Sequence, residues 1–115
     1  MSPDRLLFAG ILVSDYEASR PWFESLLGRE PSFLASDTEA VWELSEKAWL
    51  YVKQDPGRSG HAELMIVPED LDDAVRGAAE RGIAPVRHED YPGGVRKVVF
   101  RDPDGNEIGF GGGIG

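Results

Sequence analysis

His61 and Glu63 stand two residues apart in the stretch "HAELMIV" (61–67), so an extended chain presents both on one face. An imidazole beside a carboxylate is the minimum of an acid–base couple, provided burial moves the carboxyl into the working pH range. Such a couple needs a target, and the sequence supplies no electrophile or oxyanion site beside it. The plainer reading pairs Glu63 with Lys97 or Arg96 across a sheet and leaves His61 a pocket or strand-start residue. His61 and Glu63 are therefore candidates for catalysis without a defined reaction. A second group able to do chemistry is aromatic: Trp42, Trp49 and Tyr51, on adjacent expected strands. Ring faces in a cavity suit flat or cationic ligands, although large aromatics on a sheet more often build core. The stretch "FRDPDGNEIGFGG" (100–112) poses the third question. Gly109 falls inside an expected strand, where glycine gives up entropy and packs nothing.

The whole composition narrows the field. A chain of 115 residues that is 41% hydrophobic suits one globular domain, 1–115. Its net charge of −9 argues against nucleic acid and anionic membrane as partners, which both need basic surface. With no cysteine there are no disulfides, thiolate metal sites or cysteine nucleophiles, in keeping with a cytoplasmic protein. No apolar run approaches the ~20 residues of a membrane span. The start "MSPDRLLFAGILV" lacks the basic segment of a signal peptide.

Hydrophobic periodicity predicts the elements that must position these residues. "RLLFAGILV" (5–13) reads as a buried strand, Asp15 as a helix N-cap, and Trp22, Phe23, Leu26 and Leu27 as one helical face closed by Gly28. Pro21 must kink that helix or lie near its first turn. Strands are expected at 31–35, 39–45 and 48–53, and "QDPGRSG" (54–60) as a linker. The plan then repeats: strand 61–67, helix 68–82, strands 84–88, 95–101 and 107–111. His88 falls in a polar loop, "YPGG" (91–94) in a flexible turn, and Arg81 and the acids Glu69, Asp70, Asp72 and Asp73 suit the two ends of the second helix. Gly28-x-x-Pro31 and Gly82-x-x-Pro85 punctuate both copies alike. The reading is α+β: two βαβββ modules, 5–53 and 61–112, joined by 54–60. Each copy is about 50 residues, too small to cover its sheet alone, so the copies should pair.

This order, with "ILVSDYEASRPWFESLLG" early and "FRDPDGNEIGF" late, resembles the vicinal oxygen chelate superfamily, which includes glyoxalase I, bleomycin resistance proteins, fosfomycin resistance enzymes and extradiol dioxygenases. The resemblance implies a curled mixed sheet forming a cup, helices outside, and in many members a homodimer whose cups use modules from both chains. Its enzymes hold a divalent metal with a histidine on the first strand, a histidine on the fifth and a glutamate on the last. The corresponding positions here are Phe8, His61 and Gly109. By this resemblance the side chain missing at Gly109 is a carboxylate ligand. Glu107 lies on the same strand face but ~6.6 Å away, too far for a metal–oxygen bond to reach without rebuilding the site. Val99 stands where some of the enzymes place a polar residue.

The expectation is a metal-free small-molecule binder of the bleomycin-resistance type, cytoplasmic, homodimeric and without cofactor. Its cup is expected to be lined by Phe8, Trp49, Tyr51, His61, Glu63, Met65, Lys97 and Val99, and its ligand to be apolar or aromatic. In this reading Trp49 and Tyr51 face the cavity and Leu50 and Val52 face the helix. The alternative is a metal-dependent lyase, isomerase or dioxygenase with a relocated site using Glu43 or Glu107. A third reading is an interaction protein whose cup is vestigial.

Overall fold

The computed structural model describes residues 5–113. Residues 1–4, where the leader reading begins, and 114–115, the end of the glycine tail, lie outside the described residues. The first half runs β1 (Leu7–Val13), α1 (Tyr16–Leu27), β2 (Phe33–Ser36), β3 (Glu39–Ser45) and β4 (Ala48–Gln54). The second runs β5 (Glu63–Ile66), α2 (Leu71–Glu80), β6 (Arg87–Tyr91), β7 (Val95–Arg101) and β8 (Glu107–Gly112). Each half is a four-stranded mixed sheet, ordered β1-β4-β3-β2 and β5-β8-β7-β6. In each, the first strand pairs parallel with the last and the rest are antiparallel. The two sheets do not close into one.

Alternation along the strands sorts the side chains. Ile11, Val13, Ala40, Trp42, Leu50 and Val52 are buried and meet Phe23 and Leu26 of α1. Val98, Phe100, Ile108 and Phe110 do the same with Leu71 and Ala78 of α2, and both sets belong to one core cluster. Burial on this scale is the main stabilising term, at roughly 25 cal/mol per Å² of apolar surface. Trp42 is core, its indole N–H donating to the Arg29 carbonyl at 3.0 Å. Asp15 caps α1 by accepting from Ala18 N, and Gly28 ends it at φ 78°. Pro21 lies inside the helix.

The turn "DPDGN" holds the halves together. The Asp102 carboxylate accepts from Asp104 N (3.0 Å), Asn106 N (2.8 Å) and Asn106 Nδ2 (2.8 Å). Asn106, 1% exposed, also donates to the Leu12 carbonyl of β1 at 3.0 Å and accepts from Ala62 N at 2.9 Å, just ahead of β5. Asp104 accepts from Ser14 N at 3.0 Å and from the Ser14 hydroxyl. Burial pushes the Asp102 carboxyl up, against the pull of the hydrogen bonds from Asn106 and Asp104. The "V-S-D" and "D-P-D-G-N" pieces of the sequence therefore meet in space, as a joint.

Several expected boundaries move, for identifiable reasons. β5 begins at Glu63 and leaves His61 outside, because the Asn106 side chain takes up the Ala62 N–H before the ladder starts. α2 begins at Leu71, not at residue 68, because Asp70 caps it by accepting from Asp73 N at 3.0 Å. β6 covers Arg87–Tyr91 where 84–88 was expected, so His88 is an exposed strand residue and not part of a loop. The charged run looked like loop, but Arg87, Glu89 and Tyr91 alternate onto one face and bond each other. The 54–60 segment carries a 3₁₀ turn at Pro56–Arg58. Arg81 is the C-cap of its own helix, where its backbone N–H donates to Gly77 O and Ala78 O, but its side chain goes elsewhere. Its guanidinium donates to Ser25 O at 2.5 Å and Leu26 O at 3.4 Å, capping the C-terminal turn of α1, where a cation also opposes the helix dipole.

Replacing Asn106 with Ala strands the part-buried Leu12 carbonyl and Ala62 N–H, and should cost about 1–3 kcal/mol of stability, measured by urea unfolding. A loss below about 0.5 kcal/mol would mean the joint does not hold the halves.

Candidate functional site

The two sheet faces turned away from the helices hold Phe8, Trp49, Tyr51, Glu63, Met65, Lys97 and Val99, while His61 lies ahead of β5 and Trp42 is core, and the two faces differ in character. On the first sheet Phe8 is register partner of Trp49, and Gly10 of Tyr51. The Phe8 and Trp49 rings stack, centroids 5.5 Å apart and 11° between planes, and Phe33 meets Trp49 edge-on at 6.4 Å. Phe8 and Phe33 remain 49% exposed. Leu50 and Val52, alternating with Trp49 and Tyr51, are buried on the helix side. A Cβ at Gly10 would overlap the Tyr51 ring, so glycine there lets the ring lie flat on β1. Among the described residues the Trp49 indole N–H is the buried side-chain donor without an acceptor. An orphaned buried donor costs on the order of 1–3 kcal/mol, a penalty that a bound acceptor would remove.

The second face is ionic. Arg87 donates to both oxygens of Glu107, at 3.0 and 2.8 Å, and its Nε donates to Glu89 at 2.5 Å. Arg101 reaches Glu107 at 2.8 Å, and the Tyr91 hydroxyl donates to Glu89. The hydrogen bonds from Arg87 and Arg101 hold the Glu107 carboxyl down, from its ordinary 4.5 to about 2. Tyr91 and Arg87 lower Glu89, and Glu107 and Glu89 raise Arg87 further still. Lys97 pairs with Glu63 at 3.8 Å, while Arg96 goes to Asp72 at 3.2 Å. Val99 is buried between its register partners Arg87 and Gly109.

Gly109 is filled from outside its own residue. A Cβ there would lie 2.5 Å from Lys97 Cε, so the lysine stem crosses the strand at that point. Met65 crosses Gly111 likewise, its Sδ 2.6 Å from the position of a Cβ. The donor set does not fit a divalent metal. Phe8 has no lone pair, Gly109 has no side chain and is covered by a cationic one, and Glu107 has both oxygens taken by arginines. His61 is exposed. Among the described residues no three His, Cys, Asp or Glu side chains gather as a metal site. Glu43 is exposed, opposite Trp49 on β4.

The structure brings Phe8, Trp49 and Tyr51 together on one face, and Glu63, Met65, Lys97 and Val99 on the other. Within one chain it does not enclose the two sets in a common cavity. An apolar cleft of about 720 Å³ runs between the halves, with Leu7, Trp49 and Met65 on it but neither Tyr51 nor Lys97. Its other lining, including Leu44, Leu50, Leu64 and Phe110, belongs to the helix-side faces. Sequence reasoning missed Phe33 and the Arg87–Glu107 network. For the network the alternation Arg87, Glu89, Tyr91 was the available signal.

Because the folded pKa of Glu107 lies below its unfolded value, its contribution to stability is full above pH 5 and drains away as pH falls toward 2. Thermal unfolding of Glu107→Gln should therefore fall below wild type at pH 7 and converge with it toward pH 2. Parallel curves would contradict the assignment.

Comparison with known proteins gives a consistent picture. The family model described as Glyoxalase/Bleomycin resistance protein/Dioxygenase superfamily matches residues 5–110. A glyoxalase/bleomycin resistance protein from Catenulispora acidiphila DSM 44928 is 48% identical, with TM-score 0.89, over 94% of this chain and 97% of that one. A bleomycin-binding protein complexed with bleomycin shares the fold at 18% identity and TM-score 0.72, over 91% and 95% of the two chains. So does a lactoylglutathione lyase from Agrobacterium tumefaciens, at 16% identity and TM-score 0.75, over 96% and 94%. Among curated proteins none matches the chain.

Proposed function

The chain belongs to the Glyoxalase/Bleomycin resistance protein/Dioxygenase superfamily, and from that premise we propose that it binds a small organic molecule without a metal. One observation carries the reading: the Phe8–Trp49–Phe33 cluster, half open to solvent, with a buried indole N–H that lacks an acceptor. Stacked rings offer a flat apolar ligand a large contact area at low entropic cost, and the N–H fixes its orientation. By the resemblance, an enzyme of this family would need donors where Phe8 stands on the first sheet and Gly109 on the second. A bleomycin-binding protein of the same fold shows that the architecture accommodates a bound drug. The occupant here is a drug or metabolite held by sequestration, in the cytoplasm.

The working form is a homodimer. β1 and β5 are edge strands, each with one side unpaired. Leu6, Leu7 and Phe8 at one edge and Met65 and Val67 at the other are exposed apolar side chains. Exposed apolar edges invite pairing with another chain, and a second copy would set the aromatic face of one chain against the ionic face of its partner.

Elemental analysis after incubation with manganese, zinc, nickel and iron should give near-zero metal per chain. Occupancy near one, lost in His61→Ala, would overturn the metal-free reading. Trp49→Ala should weaken binding of a flat aromatic probe at least about tenfold, from lost stacking and area, read by calorimetry. Sedimentation should show a dimer at micromolar concentration, and a monomer would remove the shared cup.

A further inference from the structure

We propose that Lys97 is an anion-recognition residue, so that the ligand is an aromatic carboxylate. The inference rests on the ligand-binding reading above and names its ligand class. The lysine side chain is 14% exposed, its stem laid across Gly109. Its ion-pair partner, Glu63, is 3.8 Å away, beyond hydrogen-bond distance, and that carboxylate is 66% exposed. The other cations of the same face are differently placed. Arg87 and Arg101 are already paired with the Glu107 carboxylate at 2.8 Å. The stem is covered, while Glu63 stands beyond hydrogen-bond distance of the ammonium and Glu89 is the register neighbour on β6, so an added acceptor would give the ammonium a short charge-assisted bond.

The surroundings favour a flat acid. Glycine at 109 and 111 removes side chains from β8 on this face, and the Lys97 stem and Met65 lie over them as an apolar floor. A carboxylate on the ammonium and a ring on that floor would satisfy both parts of the site. Such a charge-assisted bond is short, directional and stronger than a neutral one. The net charge of −9 repels anions at long range, but salt screens that field beyond about 8–10 Å, so recognition here is local. Glu63 then acts as a displaceable counter-ion, swinging into solvent when the ligand carboxylate arrives.

The test compares 2-naphthoate with its neutral isostere 2-naphthamide, by isothermal titration calorimetry on the full chain. Wild type should bind naphthoate about tenfold tighter than naphthamide. Lys97→Met, which keeps most of the stem, should erase that preference, the two probes then binding alike. Glu63→Gln, which removes the competing carboxylate, should tighten naphthoate several-fold. On binding, amide shifts of naphthoate-titrated protein should concentrate at Gly109 and Gly111. Equal affinity for both probes in wild type would overturn the anion role and leave the ligand-binding reading standing. Binding of neither probe would overturn that reading and this inference with it. If Lys97→Met does not fold, Glu63→Gln decides: unchanged naphthoate affinity overturns the proposal.

Discussion

Everything in this molecule hangs on how the buried carboxamide of Asn106 is satisfied. It donates to Leu12 of β1, accepts from Ala62 before β5 and is itself anchored by Asp102. Three backbone segments distant in sequence are therefore fixed by one side chain whose own polar atoms are all used. Buried polar groups stabilise only when fully paired, and this one is. It also sets where the fifth strand begins, and hence which residues of "HAELMIV" face which way. The Arg81 guanidinium adds a second tie at the helix layer, reaching from the end of α2 to the end of α1. The halves are thus joined at both the sheet level and the helix level.

With the halves fixed, the two outward faces take opposite characters on the same scaffold. The first uses glycine at position 10 to let a tyrosine ring lie flat, and stacks phenylalanine on tryptophan. The second uses glycines at 109 and 111 to let a lysine stem and a methionine lie flat, and surrounds them with closed ion pairs. In both, the strand glycine is the space that a long neighbouring side chain occupies. The Arg87–Glu107–Arg101 group is held together by short hydrogen bonds rather than by burial, which is why Glu107 remains ionised and unavailable as a ligand.

Much of this was legible in the sequence. Period-two and period-3.6 patterns with the shared Gly-x-x-Pro punctuation gave the repeated plan of elements, and the resemblance carried by "ILVSDYEASRPWFESLLG" and "FRDPDGNEIGF" gave the fold. Alternation put Leu50 and Val52 on the helix side, because apolar residues next to a helix leave their neighbours no other face. Strand ends were less legible. His61 looked like a strand residue, yet a side chain forty-odd positions later takes its neighbour's N–H. The run "RHEDY" looked like loop because its charges satisfy one another only once the strand has formed. Arg81 does end its own helix, but nothing in the sequence says that the other helix ends beside it and takes its guanidinium. Whether the aromatic and ionic faces share one cavity is a question of assembly, on which local pattern is silent.

The lysine stem over Gly109 has an evolutionary consequence. For a descendant of this chain to hold a metal in the manner of its catalytic relatives, a donor would be needed in place of Phe8 and another in place of Gly109. Lys97 would also have to vacate the space and take its positive charge away. Each step alone gains no coordination, and a carboxylate at 109 first meets the lysine chain. The three changes are therefore epistatic: none is of use to a metal without the other two.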